Sequence, residues 1–253
     1  MKALAFFAHP DDETILAGGT LALLAHIGAD VYYLCATDGG GGELGDPPVC
    51  NREDLGKFRR RELECAVAAL GGKQVRSLNY IDPLVGNNNE LFAFADDFDL
   101  LVRQVMAEII SLSPEILISH GSNGEYGHPA HVQVYQAAHE AVQRLGNRAP
   151  TWYTVQAAYA GNPKPHAMNI NDPADLILDI SSVLDRKIKA AFCHQSQNAL
   201  FVRRKSKEAG RIIPLSEAIV SSESLHLAFT PAGQDLLKQI LLPLNCFLEN
   251  SGK

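Results

Sequence analysis

No stretch of this 253-residue chain reaches the ~18 uninterrupted apolar residues of a membrane helix, so no membrane span is expected. Excess positive charge is also missing. The formal net charge is −7, whereas a general nucleic-acid or anionic-membrane binder carries a basic face. None of the five cysteines (Cys35, Cys50, Cys65, Cys193, Cys246) stands in C-x-x-C spacing. An odd, unpatterned set reads as free thiols in a reducing compartment, not as a disulfide framework. The apolar N-terminus is broken by Asp11, Asp12 and Glu13 without a small-residue cleavage site, which argues against a signal peptide and for a cytoplasmic protein. G-x-S-x-G is absent, as are internal repeats, linkers and low-complexity segments. Gly39–Gly42 lacks the strand–G-x-G-x-x-G–helix context, and no P-loop Lys-Ser/Thr follows it, so a mobile loop is expected there and not a nucleotide cradle.

What is present begins at residues 3–14, where an apolar run of strand length stops at His9 and is followed by Pro10, Asp11, Asp12, Glu13 and a helical stretch. Strands are expected at residues 2–7, 31–36, 74–79 and 115–119, with helices at 13–27, 52–70, 98–112 and 130–145 between and after them. This alternation predicts a Rossmann-like α/β fold: a mostly parallel sheet, helices on both faces and right-handed crossovers. Gly18-Gly19 in the first helix costs ~1 kcal/mol per glycine relative to alanine, which points to close packing on the sheet. Beyond residue 150 the pattern loosens, with strands at 152–159 and 175–180 and helices at 183–193 and 235–247. A single domain over residues 1–253 is expected, its part after ~150 forming a substrate-facing extension.

The fourth strand repeats the device of the first, running into His120 and then Glu125-Tyr126-Gly127-His128-Pro129-Ala130-His131. His9-x-x-Asp12 and His128-x-x-His131 each put two donors about one helical turn apart, and neighbouring strands would bring both pairs to one crevice at the carboxyl edge. A catalytic zinc takes three such ligands and leaves a position for water, and a spare carboxylate can take the proton. Each pair alone has an ordinary explanation: acidic residues favour helix starts, and His-x-x-His arises by chance. Both pairs directly after strands favour a metal site. His120 lies on the same rim and is equally suited to touch substrate or to be a hydrogen-bonded structural residue.

Ala8-His9-Pro10-Asp11-Asp12-Glu13 and His128-Pro129-Ala130-His131 resemble the LmbE-like/PIG-L superfamily of zinc-dependent de-N-acetylases. Three weaker matches follow in the family's order: Phe58–Leu63 with Leu70-Gly71, Thr37-Asp38-Gly39 with Glu43-x-Gly45, and Lys189-Ala190-Ala191 with His194-x-Ser196-Gln197. The resemblance implies that His9, Asp12 and His131 bind Zn2+ or another divalent metal. It implies that Asp11 is the general base and that His128 stabilises the oxyanion or protonates the leaving amine. Arg59 matches the substrate-binding arginine, with Arg60 and Arg61 one residue away, and His194 is a further candidate for approach to the substrate. The implied reaction is hydrolysis of an N-acyl group, acetyl above all, from a small amino-sugar or its conjugate, and a homo-oligomer is expected from the resemblance alone. The loops 38–52, 82–96 and 160–175 would select the substrate. Ala130 stands where the family has Asp, so either another group (Asp38, Glu125 or a backbone carbonyl) orients His128 or its proton donation is weaker. Competing readings are a two-His-one-carboxylate iron(II) oxygenase and a non-catalytic sugar-conjugate binder on the same fold.

Overall fold

In the computed structural model, which describes residues 1–231 and 233–249, the first strand β1 (Lys2–Phe7) is buried on both faces, as expected of a central strand in a covered sheet. Its side chains divide with the two-residue period of a strand. Ala3, Ala5 and Phe7 enter one core, and Leu4, Phe6 and the following Ala8 enter the other. The chain continues through α1 (Asp12–His26), β2 (Asp30–Thr37), α2 (Leu55–Leu70), β3 (Gln74–Tyr80), α3 (Phe98–Leu112), β4 (Ile116–Ser119), a short helical turn α4 (Gly124–Gly127) and α5 (Pro129–Leu145). Then come β5 (Thr151–Val155), β6 (Ala157–Ala158), β7 (Asn169–Pro173), β8 (Leu176–Asp179), α6 (Leu184–Cys193), α7 (Asn198–Ala209), α8 (Leu215–Ala218), β9 (Ser222–Phe229) and α9 (Leu236–Leu241). The main sheet has seven strands in the order β3-β2-β1-β4-β5-β9-β8, in which β9 alone runs against its neighbours. Strand order reverses between β1 and β4, and the crevice beyond the carboxyl ends at that point is where open α/β sheets bind ligands.

The segment after residue 150 is less an extension than the sequence suggests, because β5, β8 and β9 complete the main sheet and only β6 and β7 form a separate pair. The expected helix over 235–247 is shorter: α9 ends at Leu241, a tight turn through Pro243 follows, and Phe247 bridges to Leu178 of β8. Gly18-Gly19 does permit close packing, although the neighbours are not strands. A Cβ at Gly19 would stand 2.6 Å from that of Ile180, and one at Gly18 3.2 Å from Cγ of Lys187 on α6. Lys187 is itself buried and paired with Glu223 of β9 at 2.6 Å, and Glu223 also accepts the backbone N–H of Gly19 and Thr20. The thiols also depart from expectation: Cys65 on α2 and Cys193 at the end of α6 form a disulfide, leaving Cys35, Cys50 and Cys246 free. Among the described residues no helix is long and apolar enough to cross a membrane.

Candidate metal centre

β1 and β4 are parallel neighbours in register from Ala3–Ile116 to Phe6–Ser119, so the residues that follow them, His9 and His120, emerge side by side. The Ala8 N–H donates to Nε2 of His120 at 3.1 Å, which joins the two strand ends directly. α1 starts at once after β1, and the backbone N–H of His9 donates to Oδ2 of Asp12 at 2.8 Å, folding that carboxylate back over the turn. From the other side, α5 brings His131 into the same crevice, one turn inside its start.

Three electron-rich atoms meet there. Nδ1 of His9 lies 3.2 Å from Oδ2 of Asp12 and 3.3 Å from Nε2 of His131, while Oδ1 of Asp12 lies 3.4 Å from that same Nε2. The outer nitrogen of each imidazole is already committed to a carboxylate, Nε2 of His9 facing Asp82 at 3.2 Å and Nδ1 of His131 facing Glu125 at 2.6 Å. With the protons on those outer nitrogens, both lone pairs point at Asp12. Such a convergence is unfavourable unless a cation sits among the three. Metal–ligand bonds of about 2.0–2.1 Å in tetrahedral array place ligand atoms about 3.3 Å apart, close to the separation of the two ring nitrogens and to the distance from each to its nearer Asp12 oxygen. Without a metal, a proton on His9 can serve as that cation. Against the effect of burial, hydrogen bonds to Asp12 and Asp82 lift the His9 imidazole to about 10, and the His131 and His120 rings hold the Asp12 carboxyl well below its usual range.

Asp11 stands beside this set with an unusual backbone, φ 135° and ψ −27°, and its N–H donates to Glu13 Oε2 at 3.0 Å. Its Oδ1 lies 3.2 Å from Nη2 of Arg59. Arg59 also donates to the carbonyls of Gly39 (2.8 Å) and Pro10, so one guanidinium clamps the first turn to the loop after β2. A Cβ on Gly39 would stand 2.6 Å from the guanidinium, so the loop packs closely around Arg59 there. Burial lifts the Asp11 carboxyl to about 7, against the pull of Arg59.

The three residues expected to contact substrate are all buried. Arg59 is 2% exposed and spends its paired nitrogens on Asp11, Pro10 and Gly39. His120 is fully buried, stacked on His131 at 3.9 Å between ring centres, with Glu125 on one nitrogen and, on the other, the Ala8 N–H and Oδ2 of Asp12 at 3.3 Å. His194 is fully buried and bound to Glu13 at 2.9 Å. Glu13 is thus more than a helix-start charge: it links His194 to the Asp11 backbone.

His128 is half-buried and lies parallel to His131 at 4.5 Å. Its Nδ1 accepts the N–H of Ala130 at 3.2 Å, which leaves Nε2 as the donor of the neutral ring. A backbone amide therefore does the orienting, while Asp38 serves Gly40 and Asp82, and Glu125 serves other histidines. Burial, then the neighbouring His131 and His9, push the His128 imidazole down to about 3. One residue of the site, Asp82, escapes sequence reasoning. Asp82 follows β3 as His9 follows β1, and the same strand-end logic applied to Ile81-Asp82-Pro83 finds it. Glu125, a candidate to orient His128, faces His120 and His131 instead. Tyr126, 58% exposed, turns its ring edge-on to His128 and His131 at 5.8 and 5.5 Å.

Known proteins resemble this chain in sequence and in fold. The family model described as PIG-L, GlcNAc-PI de-N-acetylase, matches residues 4–142. A 1D-myo-inositol 2-acetamido-2-deoxy-alpha-D-glucopyranoside deacetylase of Rhodococcus jostii is 29% identical over 274 residues, covering 92% of this chain and 93% of its own. A probable N-acetyl-alpha-D-glucosaminyl L-malate deacetylase of Bacillus cereus is 33% identical over 197 residues, covering 77% and 82%. Among solved structures, the N,N'-diacetylchitobiose deacetylase of Pyrococcus horikoshii aligns with a TM-score of 0.60 at 20% identity, over 89% of this chain and 82% of its own. GalB, the 4-carboxy-2-hydroxymuconate hydratase of Pseudomonas putida, aligns at 0.62 with 24% identity, over 93% and 99%. At these identities the structural likeness is one of fold, and the fold by itself does not choose between amide hydrolysis and hydration.

Proposed function

The chain belongs to the PIG-L family of GlcNAc-PI de-N-acetylases, and from that premise we propose that it is a zinc-dependent deacetylase of N-acetylglucosamine joined to a small hydroxylated partner. The observation that carries this reading is the meeting of His9, Asp12 and His131 beside Asp11 at the sheet's switch point. The oxygenase and binding-protein readings are set aside: the curated relatives are deacetylases, and Asp11 stands where a hydrolase needs a base.

His9 Nδ1, Asp12 and His131 Nε2 would hold the metal, which supplies Lewis acidity toward a carbonyl and a water molecule. Asp11 accepts the proton from the attacking water. A buried carboxylate lifted toward neutrality is suited to that task, and Arg59 with the Glu13 contact keeps it aimed at the crevice. The Nε2–H of His128, its tautomer set by the Ala130 amide, donates to the oxyanion or to the departing amine nitrogen. Once the C–N bond breaks, the proton held by Asp11 completes the free amine and acetate leaves. Arg59, His120 and His194 act through other residues and not on the substrate.

The test is product analysis with N-acetylglucosaminyl-inositol, N-acetylglucosaminyl-malate and N,N'-diacetylchitobiose. Equimolar acetate and free amine from at least one of them is expected, with Asp11→Asn lowering kcat by about 10²–10⁴. Folded, zinc-loaded protein that releases acetate from none of the three would overturn the proposal.

A further inference from the structure

Glu125 is buried, and its carboxylate is fully occupied by partners drawn from separate parts of the chain. Oε2 accepts Nδ1 of His131 at 2.6 Å and Nδ1 of His120 at 2.9 Å. Oε1 accepts the N–H of Gly121 at 3.1 Å and the Nδ2 amide of Asn169, on β7, at 3.1 Å. Asn169 is fully buried as well. Its Oδ1 receives the N–H of Asn123 and of Glu125 itself, and its Nδ2 also reaches the carbonyl of Val155. The loop is shaped for this contact: Glu125 holds φ +60° and ψ −71°, and a side chain at Gly121 would overlap that of Asn169. A surface loop free to relax would not keep a glutamate in that conformation.

The two imidazoles under this carboxylate belong to opposite halves of the site. His131 is one of the three residues proposed to hold the metal. His120 stacks on it with an interplanar angle of 17°, and its far nitrogen accepts the Ala8 N–H, one residue before His9. A carboxylate behind a ligating histidine fixes its tautomer and makes the ring a stronger donor. Glu125 does this for His131 and, through His120, pins the end of β1 that carries His9.

We propose that Glu125, buckled by Asn169, is the positioning residue of the metal centre, holding the His131 ligand in its Nδ1–H tautomer and tying it through His120 to the strand end that bears His9. This rests on the metal-site reading above. It does not extend to His128. The side chain at position 130 is that of a buried alanine in the apolar core, and His128 is left to a backbone amide while Glu125 serves His131 and His120.

The experiment is zinc titration of metal-free wild-type, Glu125→Gln and Glu125→Asp protein against a chromophoric chelator, with far-UV circular dichroism to verify folding. Replacing Oε2 by an amide NH2 sets a donor against two N–H donors, so Glu125→Gln is expected to weaken zinc binding 10–100-fold, with Glu125→Asp between it and wild type. A purely structural role predicts a lower melting temperature for the metal-free variant and an unchanged zinc Kd, which would overturn the proposal. Should Glu125→Gln not fold, 15N-histidine NMR of zinc-loaded wild type decides the matter. A strongly downfield Nδ1–H proton on His131 is expected, and an unprotonated Nδ1 there would overturn it. Wild-type protein that takes up no zinc would remove the metal-site reading and this inference together. Tight wild-type binding matched by Glu125→Gln would remove this inference alone.

Discussion

Reducing the Cys65–Cys193 disulfide is expected to cost more stability than any single side-chain change at the surface. The bond closes a loop of 128 residues between α2 and the end of α6. The chain-entropy relation for a loop of that length gives about 5 kcal/mol at 25 °C, an upper figure because native strain and residual unfolded structure reduce it. Unfolding entropy of about 2.1 cal/mol/K per residue over the full chain then converts this to a fall of about 9 °C in Tm. The loss should also reach the site. Cys193 immediately precedes His194, which holds Glu13, and Cys65 lies one turn beyond Glu62, which accepts the Ser196 N–H and hydroxyl at 2.8 and 2.6 Å. Thiol titration of denatured protein should count three free thiols without reductant, those of Cys35, Cys50 and Cys246, and five with it. Thermal unfolding of the two forms should differ by several degrees, and acetate release by the reduced form should be slower. Five thiols in unreduced protein, or identical melting temperatures for the two forms, would refute the reasoning.

Arg59→Met should move the acid limb of the pH–rate profile upward by about 1–3 units: the base works only when ionised, the guanidinium favours the ionised form, and its loss raises the pKa. An unchanged limb in an active variant would dissociate Arg59 from the base. Glu223→Gln should destabilise the protein by about 3–5 kcal/mol in denaturant titration, because it leaves the Lys187 ammonium buried without its counter-charge. Gly19→Ala should cost about 1–3 kcal/mol in denaturant titration by overpacking against Ile180.

Much of this architecture is legible from residues, and the illegible parts have definite physical causes. β1 and β4 announce themselves as apolar runs that end abruptly at polar residues, and their parallel pairing, with α5 returning to the same edge, brings His9 and His131 together. β9 is hidden because Ser222-Glu223-Ser224 breaks the apolar pattern. Those polar side chains are buried for specific partners, Glu223 for Lys187 and Ser224 for the Ala157 carbonyl. α7 is hidden for the opposite reason: Asn198–Ala209 is rich in Arg and Lys, and none of its residues is buried. For Arg59, His120 and His194 the motif indicates nearness to the site without indicating their partners, and all three are buried against charged or polar groups. The disulfide joins helices far apart in sequence, a pairing that spacing does not encode.

The central claim is that catalysis depends on a divalent metal held by His9, Asp12 and His131. It is tested most directly by removing metal with a chelator, dialysing the chelator away, and measuring acetate release from an N-acetylglucosaminyl conjugate as zinc is returned. The account predicts loss of activity on chelation and recovery that saturates at one zinc per chain, with no recovery in His131→Ala. Full-rate acetate release from metal-free protein would contradict it.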